Sequence, residues 1–372
     1  MDDVIRADLF ELNARDFSQS GYYQLRKSPD LVEEQYLDQL LVVKDENISL
    51  TIIPTGFAGI IYSQSLYESI CDGDISTINT LAQLRVILSR NANHNTLLVT
   101  ERCNNLCLFC SQPPKRDNDQ WLLTYAAQAL AAFNFEGEIG ISGGEPLIYG
   151  TEFLRFLDFV AEFAPRTRLH ILTNGRAFSD LYLTQQIAQR THHIELIFGI
   201  PLYSSIPSVH DELVGAKGAF SETVTGMINA GNLGIEMEVR FIPTQANVDE
   251  LPALAEYISR VLSSVVQLSI MNLEPTGWAK KNWSMLYLSV DEYIESLHKA
   301  IRVAEISGLS PTLFNFPLCH LPQNLRPYAV KSISDWKNYY PKECEQCQLL
   351  ASCGGYFTSS RGKYHQLARR II

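Results

Sequence analysis

The sequence predicts an α/β chain: a partial (β/α)6 TIM-like barrel, with a small N-terminal α+β extension before it and a C-terminal cysteine-rich auxiliary domain after it. Three observations predict this. Between about residues 96 and 275, short apolar, β-branched runs alternate with amphipathic stretches of helical length, the pattern of βα units around a parallel sheet. The preceding residues lack that alternation, and the last segment carries four of the eight cysteines.

The strands fall at 96–100, 138–142, 168–173, 194–202, 237–243 and 266–273. Between them, helices are expected over 121–133, 152–163, 179–189, 222–232 and 248–262, each with apolar residues recurring at three and four. Six repeats describe an open barrel, and in parallel β/α barrels the chemistry gathers at the carboxyl ends of the strands. Residues 1–90 hold strand-like runs at 48–53 and 59–62, interrupted by Pro54 and Gly56, and read as an α+β extension. After Glu274 the composition turns polar through Pro275, Thr276 and Gly277, followed by a helix near 291–306. The expected domains are therefore 1–90, 91–275 and 276–372, with no internal repeat or low-complexity segment.

At 372 residues the chain exceeds one typical domain and can bury a large core without disulfides. A formal net charge of -11 argues against general affinity for nucleic acid or an anionic membrane, and favours a small substrate or a peptide. The first ten residues are acidic and polar where a secretory signal needs a basic start, and no apolar run approaches a membrane span. A cytoplasmic location is expected. In a reducing compartment, seven cysteines in two groups suggest metal rather than disulfides, while Cys71 reads as a buried core thiol.

The first group, Cys103, Cys107 and Cys110, forms a C-x3-C-x2-C loop directly after the first barrel strand. Three close thiolates can cap three corners of an iron–sulfur cubane and leave the fourth iron without a protein ligand. Such an iron can bind the amino and carboxylate groups of S-adenosylmethionine (SAM). The alternatives are a zinc site or three buried thiols. Structural zinc takes four protein ligands, and no fourth Cys or His lies within the loop, although His94 is near.

With Phe109 just before the third cysteine, this loop resembles the signature of the radical SAM superfamily. The resemblance implies a 4Fe-4S cluster on Cys103, Cys107 and Cys110 and reductive cleavage of SAM to a 5'-deoxyadenosyl radical. Ser142-Gly143-Gly144-Glu145-Pro146 follows the second strand and resembles the superfamily's GGEP motif. By that resemblance Gly143, Gly144, Glu145 and Pro146 form the loop that meets the amino group of SAM, with Glu145 ordering the site. Alone, a Gly-Gly turn after a strand is just a turn.

Asn174 closes the third strand, Ser204 follows the fourth, and Arg240 stands within the fifth, at positions where related enzymes contact the SAM ribose or carboxylate. An amide or hydroxyl suits ribose oxygens and a guanidinium suits a carboxylate. Asn174 and Ser204 equally suit helix caps, and Arg240 a structural ion pair. Residues 273–277 resemble a stretch leading out of the barrel near the adenine, and equally read as a Pro-Gly turn. His210-Asp211, with Gly215 and Gly218-Ala219-Phe220, matches a loop and helix start common in peptide-modifying members, with no catalytic role assigned.

The second group joins Cys344, Cys347 and Cys353 with the upstream Cys319, again at metal-ligand spacing. It resembles the twitch or SPASM type of extension, and its count suits a single auxiliary 4Fe-4S cluster. A four-cysteine zinc site is the alternative, and His320 rivals Cys319 as a ligand. The runs TERCNNLCLFCSQPPK, PLYSSIPSVHDELVGAKGAF, EPTGWAKKNW and SISDWKNYYPKECEQCQLLASCGG look like the His-Xaa-Ser system radical SAM maturases. That resemblance implies a ribosomally made precursor peptide as the substrate to be crosslinked, a partner radical SAM maturase, and an electron donor such as flavodoxin or ferredoxin. Two other readings stay open: a radical SAM enzyme acting on a small molecule or nucleotide, and a non-catalytic metal-binding scaffold. The first ninety residues are a candidate for binding a leader peptide.

Overall fold

Eight parallel strands organise the chain, and their side chains explain why. Strand Thr167–Leu172 buries Thr167, Leu169 and Ile171 on one face, while His170 and Leu172 turn to the other, the period-two pattern of a sheet covered by helices on its convex side. A computed structural model describes residues 9–11, 21–30, 35–44, 55–81, 83–333, 337–362, 364 and 366–372.

The barrel strands are β7 (Thr96–Leu98), β8 (Gly137–Ser142), β9 (Thr167–Leu172), β10 (Leu196–Pro201), β11 (Glu236–Phe241), β12 (Val265–Met271), β13 (Ser310–Phe314) and β14 (Ala329–Val330). They lie in chain order across the sheet, and every neighbouring pair is parallel. Outside them pack α2 (Trp121–Phe133), α3 (Thr151–Phe163), α4 (Leu181–Arg190), α6 (Ala219–Asn232), α7 (Leu251–Val261) and α10 (Val290–Ile306). A further helix, α5 (Pro207–Val214), precedes α6, and the short α8 (Gly277–Lys281) and α9 (Trp283–Leu286) stand between β12 and α10. Phe133, Phe153, Phe178, Phe198 and Phe241 are completely buried in the core between sheet and helices.

The six strands read from the sequence are β7 to β12. The sheet runs on through β13 and β14, past the change of composition near residue 276. Neither strand carries a strong local signal: β13 reads SPTLF, with a proline at its second position, and β14 has two residues. The partner strand supplies what propensity does not.

The N-terminal extension is a six-stranded sheet of β1 (Leu9–Glu11), β2 (Gly21–Arg26), β3 (Asp38–Val43), β4 (Phe57–Tyr62), β5 (Ile75–Ile78) and β6 (Gln83–Leu88), in the order β1-β6-β5-β2-β3-β4, with α1 at Gln64–Ser69. The strand-like run at 59–62 lies in β4, and the run at 48–53 lies outside the described residues. This sheet docks on α2. The Tyr22 ring stacks on Tyr125 at 4.7 Å, Gln24 Nε2 donates to the Ala132 carbonyl at 2.7 Å, and the Arg90 guanidinium covers the Phe133 ring at 4.8 Å. Cys71 sits half-buried rather than in the core, next to a sharp turn in which its backbone N–H donates to Asp74.

After β14 the chain is short of regular structure. An antiparallel pair, β15 (Asn338–Tyr339) with β16 (Tyr356–Phe357), closes the loop that carries Cys344, Cys347 and Cys353. Among the described residues no helix is long and apolar enough to cross a membrane.

Candidate metal and cofactor site

The first cysteine loop leaves β7 and is held from three sides. The carboxyl end of α5 presents carbonyls that the helix itself cannot satisfy; the Val214 carbonyl accepts the Leu106 N–H at 2.8 Å and the Leu213 carbonyl accepts the Leu108 N–H at 2.9 Å. That helix ends on Gly215 at φ +61°, where a Cβ would stand 2.5 Å from the Leu106 carbonyl oxygen. From α8, the Trp278 N–H donates to the Cys110 carbonyl at 2.8 Å, and Asn282 Nδ2 donates to the Leu108 carbonyl at 2.7 Å. Phe109 is buried edge-on against Tyr203 at 4.7 Å, in a small apolar cluster with Leu213, Val214 and Leu273. The aromatic before the third cysteine therefore anchors the loop.

His210 and Asp211, noted in the sequence without a role, build this platform. Burial pushes the His210 imidazole down to about 4, so Nδ1 stays an acceptor and takes the Tyr203 N–H at 3.2 Å. Asp211 accepts the N–H groups of Gly218 and Phe220 at the start of α6.

The GGEP loop lies against the root of the cysteine loop. The Gly144 N–H donates to the Thr100 carbonyl at 2.8 Å and the Glu145 N–H to the Arg102 carbonyl at 2.7 Å. A Cβ on Gly143 would lie 2.3 Å from the Thr100 oxygen, and one on Gly144 2.0 Å from the Arg102 oxygen, so only glycine permits this approach. Pro146 opens a 3-10 turn capped by Glu145, whose Oε1 accepts the Leu147 N–H at 2.9 Å. Glu145 also accepts the Thr173 hydroxyl and the Asn174 N–H, each at 2.6 Å. Burial raises the Glu145 carboxyl above its ordinary range, and those three donors oppose the rise.

One cavity of about 300 Å³ opens at the carboxyl ends of the strands, and Cys103, Cys107, Cys110, Gly143, Gly144, Asn174 and Arg240 all line it. Glu145 and Pro146 stand behind the lining as supports. Ser204 is completely buried and does not line the cavity. Its hydroxyl accepts the Ile206 N–H at 2.9 Å in a turn before α5, whose N-terminus has no side-chain cap. Its neighbour Tyr203 faces the cavity instead. Asn174 Nδ2 donates to Asn104 Oδ1 at 2.6 Å, tying β9 to the cysteine loop. Arg240 NH1 donates to Glu238 Oε1 at 2.7 Å while NH2 points to Met271 Sδ at 3.0 Å, so an ion pair and a place on the cavity wall coexist. Residues 273–277 run along the rim, with Leu273 and Glu274 in the lining.

Sequence reasoning missed Arg176. Its NH1 donates to the Asn104 carbonyl and to Asn105 Oδ1, both at 2.7 Å, and its Nε to Glu222 at 2.6 Å. Its only signal was a basic residue two positions after Asn174. Met271, Asn272 and Asn315 also line the cavity; strand-end position was the signal for Met271, and none existed for Asn315.

The donor set fits an iron–sulfur cluster. No disulfide joins the three thiols. Burial raises the Cys103 thiol to about 11 and raises Cys107 and Cys110 as well. A bound metal centre reverses that preference, because it takes the thiolate form. Among the described residues no three His, Cys, Asp or Glu side chains converge closely enough to hold a single metal ion. A cubane takes each thiolate on a different iron, so its ligands stand further apart than those of one ion.

The second group also comes together. Cys319, Cys344, Cys347 and Cys353 line one small pocket with Tyr340, Tyr356 and Arg369. The Leu318 and Gly355 N–H groups each lie 3.4 Å from Cys353 Sγ, and the Tyr356 hydroxyl lies 3.4 Å from Cys319 Sγ. His320 turns toward Tyr356 and the Leu367 carbonyl, at 2.9 and 3.2 Å, and is not in that pocket's lining.

No family model matches the chain. It is similar to the sporulation killing factor maturation protein SkfB of Bacillus subtilis, 27% identical over 168 residues, which cover 43% of this chain and 38% of SkfB. It is also similar to Fe-coproporphyrin III synthase of Methanosarcina barkeri, 29% identical over 168 residues, 43% of this chain and 39% of the synthase. The matches thus span about two fifths of the length of these relatives. Among solved structures, Streptococcus suis SuiB bound to S-adenosylmethionine superposes with a TM-score of 0.51 at 13% identity, over 74% of this chain and 76% of SuiB. That is a likeness of fold.

Proposed function

We propose that the chain is a radical SAM enzyme, which cleaves SAM reductively and uses the resulting radical to modify, by crosslinking, a ribosomally made precursor peptide. The observation that carries this reading is the single cavity lined jointly by three thiols, the Gly-Gly loop, Asn174 and Arg240. Cys103, Cys107 and Cys110 would hold a 4Fe-4S cluster. When bound there, that cluster supplies the electron that breaks a carbon–sulfur bond of SAM and releases a 5'-deoxyadenosyl radical.

The rest is work for the chain's own groups. Gly143 and Gly144 bring bare backbone to the cavity wall, where its polar groups meet an amino group. Asn174 offers an amide to ribose oxygens, and the Arg240 guanidinium pairs a carboxylate. Leu172, Ile242 and Leu273 on the lining exclude water from the reacting atoms.

Cys319, Cys344, Cys347 and Cys353 would hold one auxiliary 4Fe-4S cluster. Oxygen-sensitive clusters and free thiols suit a reducing, cytoplasmic setting, with flavodoxin or ferredoxin as electron donor. The peptide reading is supported by the runs that resemble the His-Xaa-Ser maturases and by likeness to a protein named for maturation of a killing factor. The match of equal length to Fe-coproporphyrin III synthase favours a second reading, a small-molecule substrate.

The test is an anaerobic iron and sulfide count with Mössbauer spectroscopy, on the wild type and on the variant with Cys103, Cys107 and Cys110 changed to Ala. About eight irons falling to about four is expected; about four falling to none, with zinc present, makes the carboxyl-terminal site structural. Failure of the reconstituted wild type to form 5'-deoxyadenosine with a strong reductant would leave only the scaffold reading.

A further inference from the structure

Beneath the cavity, four charged side chains alternate in sign across the concave face of the sheet: Glu138 on β8, His170 on β9, and Glu238 and Arg240 on β11. His170 Nδ1 lies 3.6 Å from Glu138 Oε1 and Nε2 lies 3.1 Å from Glu238 Oε1. Glu238 is 2% exposed and its carboxylate is saturated. Oε1 takes His170 and Arg240 NH1, the latter at 2.7 Å; Oε2 accepts Gln267 Nε2 at 3.0 Å and Ser269 Oγ at 2.8 Å. Closed barrels fill this region with branched apolar layers. A buried ionic network contributes little stability compared with apolar packing, so its position directly under a ligand cavity calls for a role in that cavity.

Arg240 is the one of the four that lines the cavity. Its NH1 is committed to Glu238, and among the described residues its NH2 meets only a thioether, Met271 Sδ, at 3.0 Å, a weak acceptor. The space for this pair is kept by Gly199 of β10, which stands opposite Glu238 in register. A Cβ there would lie 2.9 Å from Arg240 Cδ and 2.9 Å from Glu238 Oε1.

We propose that Glu238, itself fixed by His170, Gln267 and Ser269, is a positioning residue that aims the free edge of Arg240 at the carboxylate of SAM. The proposal rests on the reading of this cavity as the SAM site. A guanidinium is a planar fork, and the NH1 bond to a fixed carboxylate oxygen, with NH2 at Met271 Sδ, limits the directions open to its remaining donors. The imidazolium of His170 offsets the charge of Glu238, so an incoming carboxylate meets a cation that is not cancelled by its own anchor. The charged groups facing His170 are Glu138 from β8 and Glu238 and Arg240 from β11, while β10 presents Gly199 between them. Burial works against the His170 charge, but Glu138 and Glu238 outweigh it and raise the imidazole to about 9.

The experiment is SAM affinity by equilibrium dialysis on the anaerobic, iron-loaded protein, with iron content measured in every sample. Glu238→Gln is isosteric and is expected to weaken SAM binding about tenfold at unchanged iron content, or about 1.4 kcal/mol. Arg240→Ala should weaken it at least as much, and the double variant should be no weaker than Arg240→Ala alone, since a residue acting through another is not additive with it. Wild-type affinity should fall as pH rises through about 9, and His170→Gln should remove that dependence. SAM affinity within about twofold of wild type in Glu238→Gln, or full additivity with Arg240→Ala, overturns the positioning role alone. A wild type that holds iron yet binds no SAM overturns the SAM reading and this proposal together.

Discussion

Glu145 Oε2 accepts the backbone N–H of Asn174 at 2.6 Å, a bond that fastens the loop after β8 to the loop after β9. The same carboxylate takes the Thr173 hydroxyl and the Leu147 N–H, wholly out of water. Glu145→Ala leaves three buried donors without an acceptor and is expected to lower stability by about 3 kcal/mol or more. A urea midpoint that moves with an unchanged slope is the signature; an unmoved midpoint would deny the carboxylate this structural role.

Arg176 ties the cysteine loop to α6 through Asn104, Asn105 and Glu222. Its side chain is 15% exposed but that of Glu222 is 47% exposed, so water partly screens the ion pair. Arg176→Ala should cost about 1–2 kcal/mol and speed iron loss to a chelator several-fold. Iron release at the wild-type rate would show that the loop holds itself.

Gly215 and Gly218 both stand at positive φ, +61° and +82°, but only the first has a neighbour in its way: the Leu106 carbonyl lies 2.5 Å from the Cβ it lacks, whereas nothing lies within 4 Å at Gly218. Alanine at either costs roughly 1–2 kcal/mol for the left-handed backbone. Gly215→Ala should in addition displace the cysteine loop and reduce iron content, while Gly218→Ala should leave the iron count near wild type. Equal iron counts in the two variants would separate the α5 terminus from the metal loop.

The ladder under the cavity also makes stability depend on pH. His170 is raised from 6.5 to about 9, so its contribution is complete below about 6.5 and is lost as pH rises through about 9. Glu238 is lowered from 4.5 to about 2; burial raises it, but His170 and Arg240 outweigh burial. Its contribution is complete above about 4.5 and is lost as pH falls toward 2. The His170–Glu238 contact enters both shifts, with Glu138 acting on His170 and Arg240 on Glu238 besides, so the network is counted once, at about 3 kcal/mol. The difference in stability between wild type and His170→Gln should therefore be greatest between about pH 4.5 and 6.5 and shrink toward pH 9. A difference that is flat across this range would mean that His170 is neutral in the fold.

Much of the site was legible because its residues are close in sequence. Cys103, Cys107 and Cys110 share one loop, and Gly143 and Gly144 follow a strand whose apolar alternation is plain; all five line the cavity. Ser204 and Tyr203 were harder. Both follow β10, and which of them faces the ligand depends on how the chain twists as it leaves the sheet, a rotation that composition does not record. Here the tyrosine faces the cavity, and the serine caps a turn.

By itself the sequence determined the first six βα repeats and the grouping of the cysteines, since ligand spacing and apolar periodicity are properties of neighbouring residues along one chain. The tertiary structure alone decided that β13 and β14 extend the sheet, that Arg176 grips the cysteine loop 72 residues before it, and that Glu238 of β11 meets His170 of β9 behind Arg240. Each of these depends on which strands lie side by side and which way their side chains point. Pairing between distant segments, settled by burial of the whole core, fixes both.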